Sequence, residues 1–234
     1  MLIKENANML SSLYKDFIGW SKLELGYLAL ALVVVCIGSW AASPLEFAAS
    51  LTNVMCVLLV AKGRISNYYW GLAGVVLYAI VAYKSQLFGN MWLNIFYAPL
   101  QFWGFFEWRK ANETVGQIDV PVRTLSQSQT TTGIILLSAV TWAISYGLKH
   151  YSHDPAPEAD AFTLVASLFA MYLMIKQYSE QWILWIAVNC VSIYLWVMPA
   201  LGHPGSWAMV ATFTIFLINS LFGAYKWFVT RTNK

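Results

Sequence analysis

Residues 25–42 read LGYLALALVVVCIGSWAA, without a single acid, base or amide. The hydrocarbon core of a bilayer takes about 20 apolar residues of α-helix to cross, and a charge at its centre is expensive. The stretch therefore reads as a membrane span, and its neighbours read the same way. Residues 65–83, 85–106, 124–148, 181–202 and 204–225 contain no Asp, Glu, Lys or Arg. Two shorter blocks, 47–61 and 161–175, are charge-free over 15 positions and span if their polar ends snorkel. The count is eight transmembrane helices. Composition agrees, because charged residues make up only 11% of the chain, against about 25% in a soluble domain. The mean hydropathy is +0.57.

The charges lie between these blocks, and they orient the chain. With the N-terminus inside, the inner segments hold Lys4, Lys15, Lys22, Lys62, Arg64, Arg109, Lys110, Arg123, Lys176, Lys226, Arg231 and Lys234. The outer segments hold only Lys84 and Lys149, so the positive-inside rule predicts both termini in the cytoplasm. His150, His153, His203, Asp154, Glu158 and Asp160 then fall outside as loop residues. No cleavable signal is apparent in the first 24 residues, which carry Lys4, Glu5, Lys15, Asp16, Lys22 and Glu24. Leu10, Leu13, Phe17 and Trp20 recur there at helical spacing, so residues 1–24 read as an interfacial helix or as a cytoplasmic tail. Cys36, Cys56 and Cys190 sit inside apolar blocks without metal-ligand spacing, so neither a metal site nor a disulfide framework is expected.

Two stretches resemble each other, 47–110 and 161–231. Each opens with a short span ending in lysine, Lys62 or Lys176, with a polar residue nine positions earlier, Asn53 or Ser167. The next span opens on aromatics: Tyr68, Tyr69 and Trp70, then Trp182 and Trp185. The third closes on G-x-x-x-W, Gly104 to Trp108 and Gly223 to Trp227. A linker helix, 131–148, joins the repeats after a Ser/Thr/Gln-rich stretch at 124–132, and one extra helix, 25–42, precedes them. The predicted fold is an all-α membrane protein: an N-terminal helix plus two three-helix repeats joined by one helix, 3+1+3. A single connecting helix makes the repeats parallel. Transporters with such repeats hold their substrate near the midplane at the repeat interface.

The third span of the first repeat carries Asn90, Asn94, Tyr97, Gln101, Gly104 and Trp108 at alternating spacings of 4 and 3, which is one helical face. Trp182, Trp185, Asn189 and Trp196 line one face in the second repeat, and Thr212, Phe216, Asn219 and Gly223 another. Amides in hydrocarbon are costly unless partnered, so such stripes must face protein or water. The plainer reading takes Trp70, Trp92, Trp108, Trp207 and Trp227 as an interfacial belt, and Asn53 and Asn219 as glue between helices. Asn94 with Gln101, and Trp182 with Trp185 and Asn189, combine ring faces with amides and suit a flat heteroaromatic solute. No acidic or basic residue stands at mid-span, which argues against an ion-driven pump. No Walker A, HExxH or GxSxG motif is present, so no catalytic residue, cofactor or metal is assigned. Facilitated diffusion is the simplest remaining mechanism.

The runs WGLAGVVLYA (70–79), GNMWLNIFYAPLQFWGFFEW (89–108) and WILWIAVNCVSIYLW (182–196) together resemble the PnuC family of bacterial nicotinamide riboside transporters. The resemblance covers residues 47–231; one departure is Trp103-Gly104-Phe105 where the family pattern has Tyr-Gly-Trp. It implies a SWEET-like architecture in the bacterial inner membrane and a homotrimer with one pathway per protomer. It further implies uniport of nicotinamide riboside, a vitamin B3 form used for pyridine nucleotide synthesis, with no nucleic-acid partner. Carried over by position, the substrate contacts are Trp182, Trp185, Asn189, Gln101 and Asn94, with Trp70, Tyr97 and Trp196 as gate or ring contacts. The residues leave open a thiamine, riboflavin or deoxynucleoside carrier of the same family. They also leave open a lipid-modifying enzyme built on His150, His153 and Asp154, or a non-transporting subunit.

Overall fold

The computed structural model describes residues 20–38, 43–84, 88–115, 120–151, 155–202 and 207–232. Among these residues it is all-helical, with eight helices: α1 (Lys22–Gly38), α2 (Pro44–Lys62), α3 (Asn67–Lys84), α4 (Phe88–Val115), α5 (Gln127–Tyr151), α6 (Pro157–Ile175), α7 (Gln181–Gly202) and α8 (Trp207–Thr232). The chain forms two compact units, Met1–Val120 and Pro121–Lys234. In the first, α2 packs on α3, α3 on α4, and α1 on α2; in the second, α6 packs on α7, α7 on α8, and α5 on α6. Each unit is thus a leading helix set against a bundle of three. The expected helix within residues 1–24 lies almost wholly outside the described residues, as do His153, Asp154 and His203.

Helix starts are set by side chains that satisfy the free N–H groups of the first turn. Ser43 and Glu46 form a reciprocal capping box at α2, with Pro44 in the first turn. Ser21 and Glu24 repeat the device at α1, through bonds of 2.8 and 3.2 Å. Ser126 and Gln129 do so at α5, through bonds of 2.9 and 3.3 Å. Three expected boundaries move for this reason: the block expected from 47 begins at Pro44. The first helix begins at Lys22 rather than 25, and the linker helix at Gln127 rather than 131. The Ser/Thr/Gln-rich stretch is therefore mostly helical. Its hydroxyls bond back one turn, Thr130 to Ser126 O and Thr131 to Gln127 O, so the polar side chains do not compete with the helix.

Four of the described segments are long and apolar enough to cross a membrane: Pro44–Lys62, Gln127–Tyr151, Pro157–Ile175 and Met209–Val229. Glu24–Ile37 and Gln181–Val197 are shorter apolar stretches. The packed core of each unit gathers at the C-terminal ends of α2 and α6. Leu58, Leu59, Val60 and Ala61 are buried in one, and Leu173, Met174 and Ile175 in the other.

Both helices end in the same way. Gly63 takes φ 73° and Gln177 φ 64°, in the left-handed region. Gly63 N–H bonds Val60 O and Arg64 N–H bonds Leu59 O; Gln177 N–H bonds Met174 O and Tyr178 N–H bonds Leu173 O. This paired pattern closes a helix by returning two amides to its last turn. Gly63 adopts the conformation without cost, whereas Gln177 carries a Cβ and is disfavoured by about 1–2 kcal/mol. The strap 121–126 holds Gln177 in place, with Arg123 N–H on Gln177 O at 2.8 Å and Ser179 N–H on Arg123 O at 2.9 Å. In the first unit Val120 N–H reaches Gly63 O at 2.9 Å.

Candidate functional site

The face of α4 singled out by its spacing points into the first unit. Gln101, Gly104 and Trp108 are all buried, while Asn94 and Tyr97 are half-buried. Gly104 gives room to the ring of Tyr68 from α3; a methyl group there would overlap that ring. Tyr68 in turn meets Trp108 edge-on, with centroids 5.2 Å apart. One turn up, the Gln101 side chain lies on Gly71. A Cβ at Gly71 would stand 2.6 Å from Gln101 Oε1 and 3.0 Å from Cys56 Sγ. Another turn up, a Cβ at Gly74 would stand 2.6 Å from Asn53 Oδ1. Asn53 Nδ2 is spent on Ala49 O at 2.9 Å. Two amide oxygens thus lie directly on the backbone of α3, and the buried Gln101 oxygen has no hydrogen-bond partner among the described residues.

The second unit repeats the wedge with different atoms. Trp182 sits where Tyr68 does. Its ring fills the space left by Gly223, and a methyl group there would overlap it. It meets Trp227 edge-on, with centroids 5.9 Å apart. Trp108 and Trp227 are fully buried, so the expectation of an interfacial belt fails for both. Each ring is the far wall of a ring-on-glycine contact. Trp92 is 56% exposed, as a belt residue would be. Trp182 itself is buried, with the edge of its ring on Gly223 of α8.

Further along α7, Trp185 is half-buried and Asn189 is buried. Asn189 Nδ2 donates to Ser220 Oγ at 3.0 Å, and Ser220 Oγ donates to Phe216 O at 2.8 Å. Asn219, beside it, is buried as well. Ser220 was not singled out from the sequence, yet the repeat could have found it. It stands three residues before Gly223, as Gln101 stands three before Gly104.

The remaining expected residues are scattered. Trp70 and Trp196 are half-buried. The side chain of Asn90 and that of Trp207 lie outside the described residues. Asn94 lines a crevice of about 280 Å³ whose other walls, Val75, Val76, Ala79, Ile80, Ile95 and Ala98, are apolar. Among the described residues no cluster of His, Cys, Asp or Glu could hold a metal ion. The groups gathered on these faces are amides, hydroxyls, a thiol and indole rings, which can hydrogen-bond and stack on a polar aromatic solute.

Apolar helices with buried amides and indoles on their inner faces are the marks of a multi-pass membrane transporter. The chain belongs to the family described as Nicotinamide mononucleotide transporter, whose profile matches residues 43–229. It is 35% identical over 222 residues to the Nicotinamide riboside transporter PnuC of Neisseria mucosa, covering 90% of this chain and 82% of that protein. It is 33% identical over 230 residues to the protein of the same name from Haemophilus influenzae, covering 94% and 97%. Among solved structures it superposes on the Vitamin B3 transporter PnuC with a TM-score of 0.76 at 35% identity, over 92% of this chain and 94% of that one.

Proposed function

We propose that this protein is a uniporter that carries nicotinamide riboside across the bacterial inner membrane by facilitated diffusion. All eight helices then span, in the 3+1+3 arrangement with both termini cytoplasmic, and three copies form a homotrimer. The protein performs no chemistry on the solute. The observation that carries this reading is the buried, neutral polar chemistry of the inner faces. Gln101 offers an acceptor with no partner among the described residues, Asn189 is held by Ser220, and no acidic or basic residue stands at mid-span. A carboxamide-bearing ring with a ribose matches amides and indoles without needing a counter-ion, and a cationic ring is attracted to aromatic faces.

In this reading Gln101, Asn94, Tyr97, Trp185 and Asn189 are the candidate contacts of the solute. Trp70 and Trp196 act as gate contacts. Trp182 works one step back. Packed on Gly223, it anchors the start of α7 against α8.

Calorimetric titration of the purified protein with nicotinamide riboside, thiamine and riboflavin tests the substrate. Saturable binding of nicotinamide riboside alone, with counterflow in proteoliposomes, is the expected result. Preferential binding of thiamine or riboflavin would overturn the substrate, and uptake that requires an imposed ion gradient would overturn the mechanism. Light scattering of the detergent-solubilised protein gives the oligomer, with a trimer mass expected.

A further inference from the structure

Three helices of the first bundle converge on one point of backbone. Gly71 on α3 is met by the amide of Gln101 from α4 and by the thiol of Cys56 from α2. A Cβ at Gly71 would stand 2.6 Å from Gln101 Oε1, 2.9 Å from Gln101 Cδ and 3.0 Å from Cys56 Sγ. Gln101 is only 5% exposed, and Cys56 is half-buried. The bare backbone and the sulfur thus wall the end of the glutamine side chain.

The second bundle builds the same junction inversely. Trp185 stands three residues after its wedge ring, as Gly71 stands after Tyr68. Ala170 matches Cys56, each six residues before the closing lysine, and Ser220 matches Gln101. A large ring with two small neighbours replaces a glycine with two longer ones. The shared scaffold therefore does not demand glycine at this position. Gly104 and Gly223 are different, since both bundles keep them under a ring. Glycine also weakens a helix interior relative to alanine. Its presence at 71 goes with the glutamine that lies on it.

We propose that Gly71 and Cys56 are positioning residues for the Gln101 amide, and that this amide reads the carboxamide of the pyridine ring. Fixing a glutamine side chain costs conformational entropy. Walls that already confine it leave less to lose when the solute arrives. An amide presents a donor and an acceptor side by side, which is what a carboxamide needs from its partner. Alanine at 71 would meet the far end of a flexible side chain rather than a ring, so the fold accommodates it by moving the amide. This inference rests on the transporter reading above.

Calorimetric titration compares nicotinamide riboside with the riboside of unsubstituted pyridine, which keeps the cationic ring and sugar but lacks the carboxamide. Gly71→Ala should weaken nicotinamide riboside binding by about three- to tenfold, the worth of one hydrogen bond, and leave the analogue unchanged. Cys56→Ala removes the second wall and should act with the same selectivity and a smaller factor. In a Gln101→Leu background Gly71→Ala should add almost nothing, because residues that act through one group are not additive. Equal weakening of both ligands, or full additivity with Gln101→Leu, would mark a purely structural glycine and overturn the proposal. So would equal wild-type affinity for the two ligands, or unchanged nicotinamide riboside affinity in either variant. Should Gly71→Ala fail to fold, Cys56→Ala carries the same two-ligand comparison. Nicotinamide riboside binding by the wild-type protein tests the transporter reading by itself, so a failure there is distinguishable from a failure here.

Discussion

The two bundles share a skeleton and differ in what they hang on it. In the first, the positions one and two turns after the wedge ring are Gly71 and Gly74, and the side chains of Gln101 and Asn53 lie on the bare backbone. In the second, the corresponding residues are Trp185 and Val188 by register, Ser220 stands where Gln101 does, and the amide Asn189 lies on α7 instead. The first bundle is an amide-on-glycine contact with an unspent oxygen. The second is an indole with an amide tethered to Ser220. The repeated parts, a ring on glycine and a left-handed closing turn, hold the helices together. The parts that differ are the polar and aromatic groups at one and two turns beyond the ring.

The largest expected effect tests how differently the leading helices are tied. Lys62 Nζ meets Glu24 Oε2 at 3.0 Å with both side chains nearly buried, and Trp20 lies over the same ammonium at 4.6 Å. The matching Lys176 is half-exposed. Removing one member of a buried pair strands the other, so Lys62→Ala should cost about 3–5 kcal/mol, and Lys176→Ala much less. Thermal unfolding in detergent measures both, and equal losses would remove this difference between the units.

The shared wedge comes next. Gly104→Ala and Gly223→Ala each force a methyl group into a ring, and overpacking of this kind costs about 1–3 kcal/mol. Similar losses in the two variants would confirm that the wedge is common property. Partial recovery on adding Tyr68→Ala to Gly104→Ala would locate the strain in that contact.

The smallest effects separate the two chemistries, and they appear in binding rather than stability. Asn189→Ala should weaken nicotinamide riboside binding by about 1–3 kcal/mol, the worth of a lost hydrogen bond and an orphaned partner. Gln101→Leu should cost about 0.5–1.5 kcal/mol, because its oxygen leaves no protein partner behind. Isothermal calorimetry on the two proteins ranks them. Unchanged affinity in both would remove these residues from the substrate's path.

Much of this was legible in one dimension, for a single reason: hydrocarbon penalises charge so strongly that helix and loop are written in different alphabets. The blocks around 25–42, the lysine ending each short span and the two G-x-x-x-W motifs needed no coordinates. The amide stripe of α4 could also be read, because 3- and 4-residue steps place Asn94, Gln101 and Trp108 on one face whatever that face meets.

What those residues touch was decided only by the tertiary structure. Tryptophan near a helix end reads the same whether it sits in the lipid interface or is buried against a glycine, so Trp108, Trp182 and Trp227 were ambiguous until their neighbours were known. The packing partner of a side chain lies on another helix, as Tyr68 does for Gly104 and Trp182 for Gly223, and a glycine records only that something comes close. The sequence by itself determined the class of protein. The fold decided which rings are wedges, which amides are tethered, and which polar atoms are left unspent.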